Sequence, residues 1–244
     1  MVLAASAAVA ACSRSVLDAR QLRIGSSPTG VPFSFVDPWS NELTGSMVDT
    51  AALVARAIGR VPDLRITSFG ALIPSLTAGK IDLIAAAMLR TPEREAVVSF
   101  SSPVYSYSGA LVVPVASERT YPSLVSLRGL RVGAQIGTRF VDQLRSAGVI
   151  DVSTYDGLSD ILRDLGLGRI DVGYGDQPIL AYQLRVGPKR PVRLAEEFAA
   201  PAGEALCLVV RKGDPLLAHV DLAIERMRAS AIPEINRRWG LEAS

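Results

Sequence analysis

Apolar positions recur along this chain with two alternating periods. Short apolar runs bounded by turn residues read as strands at 22–26, 33–36, 64–67, 82–86, 130–134, 151–154 and 170–174. Asp37-Pro38 and Ser40-Asn41-Glu42 supply the turn after the second run. Gly45 to Gly59 has helical spacing, with Leu53, Val54, Ala57 and Ile58 as its apolar stripe and Gly59 as its stop. Ala71 to Ala78 reads as a second helix, with Pro74 tolerated only in its first turn. Thr91-Pro92-Glu93-Arg94 is a helix start: Thr caps, Pro takes the first helical position, and Glu sits at the positive end of the dipole. Further helices are expected from Thr138, over 158–166, over 216–228 and over 232–240. Strands alternating with helices predict an α/β chain.

The pattern also repeats. Leu22-Arg23-Ile24-Gly25 is echoed by Leu130-Arg131-Val132-Gly133, and Gly79-Lys80-Ile81-Asp82 by Gly168-Arg169-Ile170-Asp171. Two copies of one α/β unit predict two similar lobes with a cleft between them. Apolar strands at 109–115 and 204–211 bracket the second copy and imply two crossings, the connectivity of a hinged clamp. The expected division is 1–20 as leader and tether, 21–113 with 206–244 as a discontinuous first lobe, and 114–205 as the second. Open parallel sheets bind ligands beyond the carboxyl ends of their strands. Arg94 follows such a strand in one copy and Asp176 in the other, a cation facing an anion, which suits a small zwitterion.

Composition narrows the function classes. The 244 residues are 49% hydrophobic and 20% charged, with a net charge of +2, enough for a well-filled core and without the basic block that a nucleic-acid partner requires. Val2 to Ala11 is apolar apart from Ser6, too short to span a bilayer but suited to the end of a signal peptide. Val9-Ala10-Ala11-Cys12 resembles a bacterial lipobox, which makes Cys12 a lipidation candidate, although no Lys or Arg precedes the run. An Ala-rich terminus without that role is the plain alternative. Cys207 lies in the apolar run 205–210 and reads as a buried core residue. The single histidine, His219, lies in a separate helical segment, and one His without paired cysteines argues against a zinc site. No cofactor is expected.

Six motifs in order then carry a resemblance: Leu22-Arg-Ile-Gly with Pro32-Phe33-Ser34-Phe35; Ala71 through Asp82; Thr91-Pro-Glu-Arg94; Phe100-Ser-Ser-Pro103; Leu127 through Gly133 with Gly137-Thr138; and Gly168 through Asp176. Together they resemble the solute-binding proteins of polar amino-acid ABC transporters, family 3, from about Leu22 to Trp239. The resemblance implies a two-lobed, periplasmic-binding-protein-like (type II) fold hinged on two crossover strands. It implies capture of an amino acid or derivative by lobe closure, delivery to a membrane ABC permease, a periplasmic or cell-surface location and a monomer. By position, Arg94 matches the arginine that binds the ligand carboxylate, for which a planar guanidinium is suited. Thr138 matches the residue meeting that carboxylate from the second lobe, and Asp176 the acceptor of the ligand ammonium. Phe69 matches a wall against the ligand side chain, and Ala87 and Leu89 fall where backbone and hydroxyl groups meet the ligand. The plain alternatives are a surface ion pair for Arg94, an N-cap for Thr138, a turn residue before Pro178 for Asp176 and a core residue for Phe69.

Three positions depart from the family pattern. Gly30 stands where an aromatic ring stacks on the ligand, Ser27 where an Asp helps hold the ammonium, and Leu89 where a hydroxyl is common. A roomier, less polar pocket is expected, with Trp39 as a possible substitute ring. A competing reading on the same scaffold is a cyclic-acid dehydratase, for which Glu93 and Glu204 are the acid candidates. A signalling ectodomain would need a transmembrane helix after the domain, and none is expected before Ser244.

Overall fold

The structure is a computed structural model that describes residues 20–201 and 203–241. The expected leader and Cys12 lie outside the described residues. The chain opens with β1 (Gln21–Ser26), a ribbon of β2 (Thr29–Gly30), β3 (Ser34–Val36) and β4 (Leu43–Thr44), and helix α1 (Ser46–Ala57). β5 (Val61–Ile66), α2 (Leu72–Thr77), β6 (Leu83–Ile84), α3 (Pro92–Val97) and the ten-residue β7 (Val98–Tyr107) follow. Next come β8 (Gly109–Pro114), β9 (Val132–Gln135), α4 (Arg139–Ser146), β10 (Val152–Tyr155), α5 (Leu158–Gly166), β11 (Val172–Asp176), α6 (Gln177–Val186) and β12 (Val192–Leu194). The chain returns through β13 (Glu204–Arg211) and ends in α7 (Leu216–Met227) and α8 (Ala231–Arg238).

These strands form two five-stranded sheets, ordered β5-β1-β6-β13-β7 and β10-β9-β11-β8-β12. Each is parallel at one end and closed by antiparallel strands at the other. The molecule is therefore two-lobed, with crossings at Ser108 and between β12 and β13. Because Gly109–Pro114 pairs with β11, the first crossing precedes the expected division at 113. At that crossing a Cβ on Gly109 would lie 2.8 Å from the Phe140 ring and 2.9 Å from that of Tyr174, so the backbone passes where only glycine fits.

The repeated tetrapeptides have one physical explanation. In the first lobe Asp82 accepts from the Arg23 backbone N–H (3.2 Å), Nε (2.9 Å) and Nη2 (2.8 Å), and its own N–H donates to the Arg23 carbonyl (2.8 Å). In the second, Asp171 accepts from the Arg131 N–H (2.9 Å), Nε (3.2 Å) and Nη2 (2.6 Å) and returns the same backbone bond (2.8 Å). Each Arg–Asp fork ties the start of β1 or β9 to the segment entering its parallel neighbour β6 or β11, where the glycine of the G(K/R)ID turn is left-handed, φ 69° for both Gly79 and Gly168.

The helices differ from the periodic reading in detail. The α1 face that is buried is Met47, Val48, Ala51, Val54 and Ala55, not the stripe through Leu53 and Ala57. Gly45, at φ 127° and with no room for a Cβ beside the Phe33 carbonyl, sets the entry of this helix and so turns its first residues inward. β7 was hidden by its serines and by Pro103, which faces Cys207 at a bulge in the pairing with β13. Cys207 is fully buried in the core between Phe100, Val98 and Ile84, as its apolar run predicts.

Candidate functional site

Arg94 owes its place to the cap of α3. The Thr91 hydroxyl accepts from the Arg94 N–H (3.3 Å) and Pro92 fills the first turn, so the Arg94 side chain leaves toward the second lobe. Its Nη1 donates to the Leu89 carbonyl, and its Nη2 donates across the cleft to the Gly137 carbonyl at 2.7 Å. The guanidinium lies 5.8 Å from the Phe69 ring centroid, in cation–π range. Burial draws its pKa below the usual arginine range; Asp142 pulls it back up and Arg139 pushes it down. Phe69 is 9% exposed and belongs to the first-lobe core.

The lobes meet closely here. Gly137 has φ 73°, and a Cβ on it would come 3.2 Å from the Gly70 Cα. A Cβ on Gly157 would come 3.2 Å from that of Thr29. The structure is a closed form. Thr138 is buried at the N-terminus of α4, with its hydroxyl donating to the Gln135 carbonyl (2.7 Å).

Asp176 ends β11 on the opposite wall and is 4% exposed. Its Oδ1 accepts the Tyr107 hydroxyl proton. Burial raises its carboxyl to about 6, against the lowering effects of that hydrogen bond, its own backbone N–H and the Arg94 charge. Tyr107 is the last residue of β7, and its ring stacks on Phe33 (5.4 Å) and Tyr105 (6.2 Å). Burial, then the Asp176 charge, hold its phenol well above the usual range. The sequence reading missed Tyr107, and it missed Arg139, the first residue of α4, whose pKa burial lowers. A signal existed for Arg139 alone: it directly follows the motif Gly137-Thr138.

The remaining expected positions fall unevenly. Ser27 is buried, with its hydroxyl 3.3 Å from that of Thr29. Leu89 is buried and contributes its carbonyl to Arg94, while Ala87 is half-buried. A Cβ on Gly30 would meet the Ser34 carbonyl at 3.4 Å and the Ile179 Cδ1 of the second lobe at 3.6 Å, ordinary contact distances, so Ile179 borders the position. Beside it, the buried Ser34 hydroxyl has no hydrogen-bond partner among the described residues. Trp39 is 90% exposed in a turn held by Asp37 and does not substitute for the missing ring. Glu93 is exposed on α3, with its carboxyl lowered first by its own backbone N–H and then by Thr91, which keeps it ionised and without a proton to donate near neutral pH.

The comparisons agree with the two-lobed fold. Residues 22–242 match the model of bacterial extracellular solute-binding proteins, family 3. The chain is 32% identical over 205 residues to the histidine-binding periplasmic protein of Salmonella typhimurium, covering 83% of this chain and 76% of that protein. An ancestral arginine-binding protein bound to arginine superposes with TM-score 0.83 at 29% identity, covering 90% of this chain and 98% of that one. The ancestral amino acid-binding protein AncCDT-1, a precursor of cyclohexadienyl dehydratase, superposes with TM-score 0.82 at 25% identity, covering 93% and 98%.

Proposed function

Because the chain belongs to the bacterial extracellular solute-binding proteins, family 3, we propose that it is the extracytoplasmic amino-acid receptor of an ABC importer and acts by binding without turnover. The observation that carries this reading is the opposition of Arg94 and Asp176 on the two walls of one closed cleft. A guanidinium can pair with both oxygens of an α-carboxylate. Thr138 offers the buried N-terminus of an eight-residue helix to the same carboxylate. Asp176, ionised, accepts the α-ammonium. A ligand that bridges both walls stabilises the closed form by its differential affinity for it, and the closed monomer is what a membrane permease docks.

Ser27, Gly30, Ala87, Leu89 and Phe69 surround the ligand side chain with few charges, and Ile179 narrows the space at Gly30. An uncharged amino acid or derivative fits this wall better than a basic one, although two of the proteins named above bind histidine and arginine. The segment Val9 to Cys12 supports a periplasmic location with a lipid anchor on Cys12.

A thermal-shift screen of the twenty amino acids tests the reading. A ligand that binds the folded state at a hundredfold excess over Kd adds about 2.7 kcal/mol of stability. The shift should vanish in Arg94→Ala and in Asp176→Asn. A hit that survives both substitutions would overturn the zwitterion clamp.

A dehydratase reading has one observation in its favour, the near-neutral carboxyl of Asp176 hydrogen-bonded to Tyr107, on a fold shared with a dehydratase precursor. It requires loss of water from a cyclic acid, seen as new ultraviolet absorbance on incubation with cyclohexadienyl acids. A cyclic acid that binds and is recovered unchanged would eliminate it.

A further inference from the structure

We propose that Tyr107 is a positioning residue for ligand ammonium recognition, fixing the carboxylate of Asp176 across the first crossing in the orientation that meets the ligand. This rests on the amino-acid reading above. Tyr107 and Asp176 belong to different lobes. Tyr107 ends β7 in the first sheet, Ser108 follows, and Gly109 already pairs with Asp176 in the second sheet. The direction of the Tyr107 ring is set by the first lobe, through stacking on Phe33 and Tyr105. The direction of Asp176 is set by the second, at the end of β11 and the start of α6. The hydrogen bond between them therefore spans the point where the chain bends, and a change of hinge angle changes its geometry.

A carboxylate has acceptor capacity on both oxygens. With one acceptor site of Oδ1 filled by the phenol, the carboxylate is held in one orientation and turns its remaining acceptor sites toward a ligand ammonium. The hydroxyl also favours the ionised form of a carboxyl that burial pushes toward neutrality, and an ammonium needs that ionised form. The other charged and titratable groups around the pair are Arg94 from α3, which favours the carboxylate, Arg139 from α4, which faces Tyr107, and Tyr174 from β11, whose own phenol is held well above the usual range, first by burial.

The variant is Tyr107→Phe, which keeps the ring and its stacking and removes only the hydroxyl. Two measurements are made on the full chain. The first follows the Asp176 carboxyl carbon by NMR against pH without ligand, assigned with Asp176→Asn. Its midpoint should move upward in Tyr107→Phe, and an unmoved midpoint overturns the coupling. The second is calorimetric affinity for whichever of the twenty amino acids the wild type binds, at about pH 6 and about pH 8.5. Tyr107→Phe should bind roughly tenfold more weakly at the lower pH, with the gap narrowing at the higher, as expected for losing a hydrogen bond to a charged group. An equal loss at both pH values would mark Tyr107 as merely structural and overturn the proposal. If the wild type binds none of the twenty, the amino-acid reading fails and takes the ammonium role with it, while the ligand-free titration still decides whether Tyr107 holds Asp176.

Discussion

In the first lobe the Arg23–Asp82 fork is joined by Arg211 of β13, whose Nη1 lies 3.3 Å from Asp82 Oδ1, and the Asp82 side chain is 16% exposed. In the second, Arg131 bonds Asp171 and the Gly168 carbonyl, and the Asp171 side chain is 35% exposed. The two lobes thus share one solution for holding their parallel strands together, and differ in how far it is buried. At the cleft they share nothing: one contributes a cation on a short capped helix, the other an anion at a strand end. The lesson is that a framework charge recurs because every copy of the backbone has the same need. A cleft charge has no such reason to recur, and the proposed zwitterion has two different ends.

The largest expected effects break the asymmetry at the cleft. Arg94→Ala and Asp176→Asn should each weaken the identified amino acid by about a hundredfold, because each leaves one charged end of the ligand without its partner. Calorimetry checks this, and a loss confined to one of the two would mean that only one lobe reads charge. The forks come next. Asp82→Ala should lower unfolding stability by about 2 kcal/mol, since two arginines and a backbone N–H lose a partly buried acceptor. Asp171→Ala should lower it distinctly less, its carboxylate being better solvated. Urea denaturation of the two variants decides, and equal losses would show that burial of the fork does not matter.

A smaller effect separates closure from stability. Gly137→Ala and Gly168→Ala both place a side chain at positive φ, at about 1 kcal/mol each. Only at Gly137 does the new methyl approach the other lobe; nothing lies within 4 Å of a Cβ at Gly168. Gly137→Ala should therefore lose affinity, about tenfold, while Gly168→Ala keeps it. The smallest effect is that of pH. Asp176, raised to about 6, binds its proton more readily folded than unfolded, so its contribution to folding is present at low pH and fades as pH rises through about 6. Asp82 and Asp171, held below the usual range, contribute in the opposite sense: their stabilisation is present above the ordinary carboxylate pKa and is lost as acid is added. On the proposed ammonium contact with the Asp176 carboxylate, ligand affinity should fall with acid over the window in which that residue's contribution to folding rises. Affinity that stays flat from about pH 8 to 5 would show that Asp176 does not meet an ammonium.

Legibility followed the range of the interactions. The repeat was readable because both tetrapeptides recur in order, but the Arg–Asp pairing inside each copy was not, since its partners lie 59 and 40 residues apart. The cap at Thr91 was readable because its partners lie three residues apart. β7 was not, since serines and Pro103 break its alternation while pairing with β13 holds it extended. α6 was not, since Asp176-Gln177-Pro178 reads equally well as a turn, although Pro178 falls in the first turn of a helix, where its missing N–H has no effect. Tyr107 was not, because its partner lies 69 residues away and no local pattern states which strand end faces a crossing. The neighbour of Gly30 was missed for the same reason: Ile179 reaches it only after the lobes meet.

Arg94 finally bears on which ligands the cleft accepts. Its guanidinium joins a main-chain carbonyl from each lobe, Leu89 and Gly137, so a ligand acid competes with neutral acceptors for the same donors. A charge-assisted hydrogen bond is roughly twice as strong as a neutral one. The same exchange offers little to a ligand whose acceptor is itself neutral, and the arginine thereby sorts acids from their amides before any side chain is read.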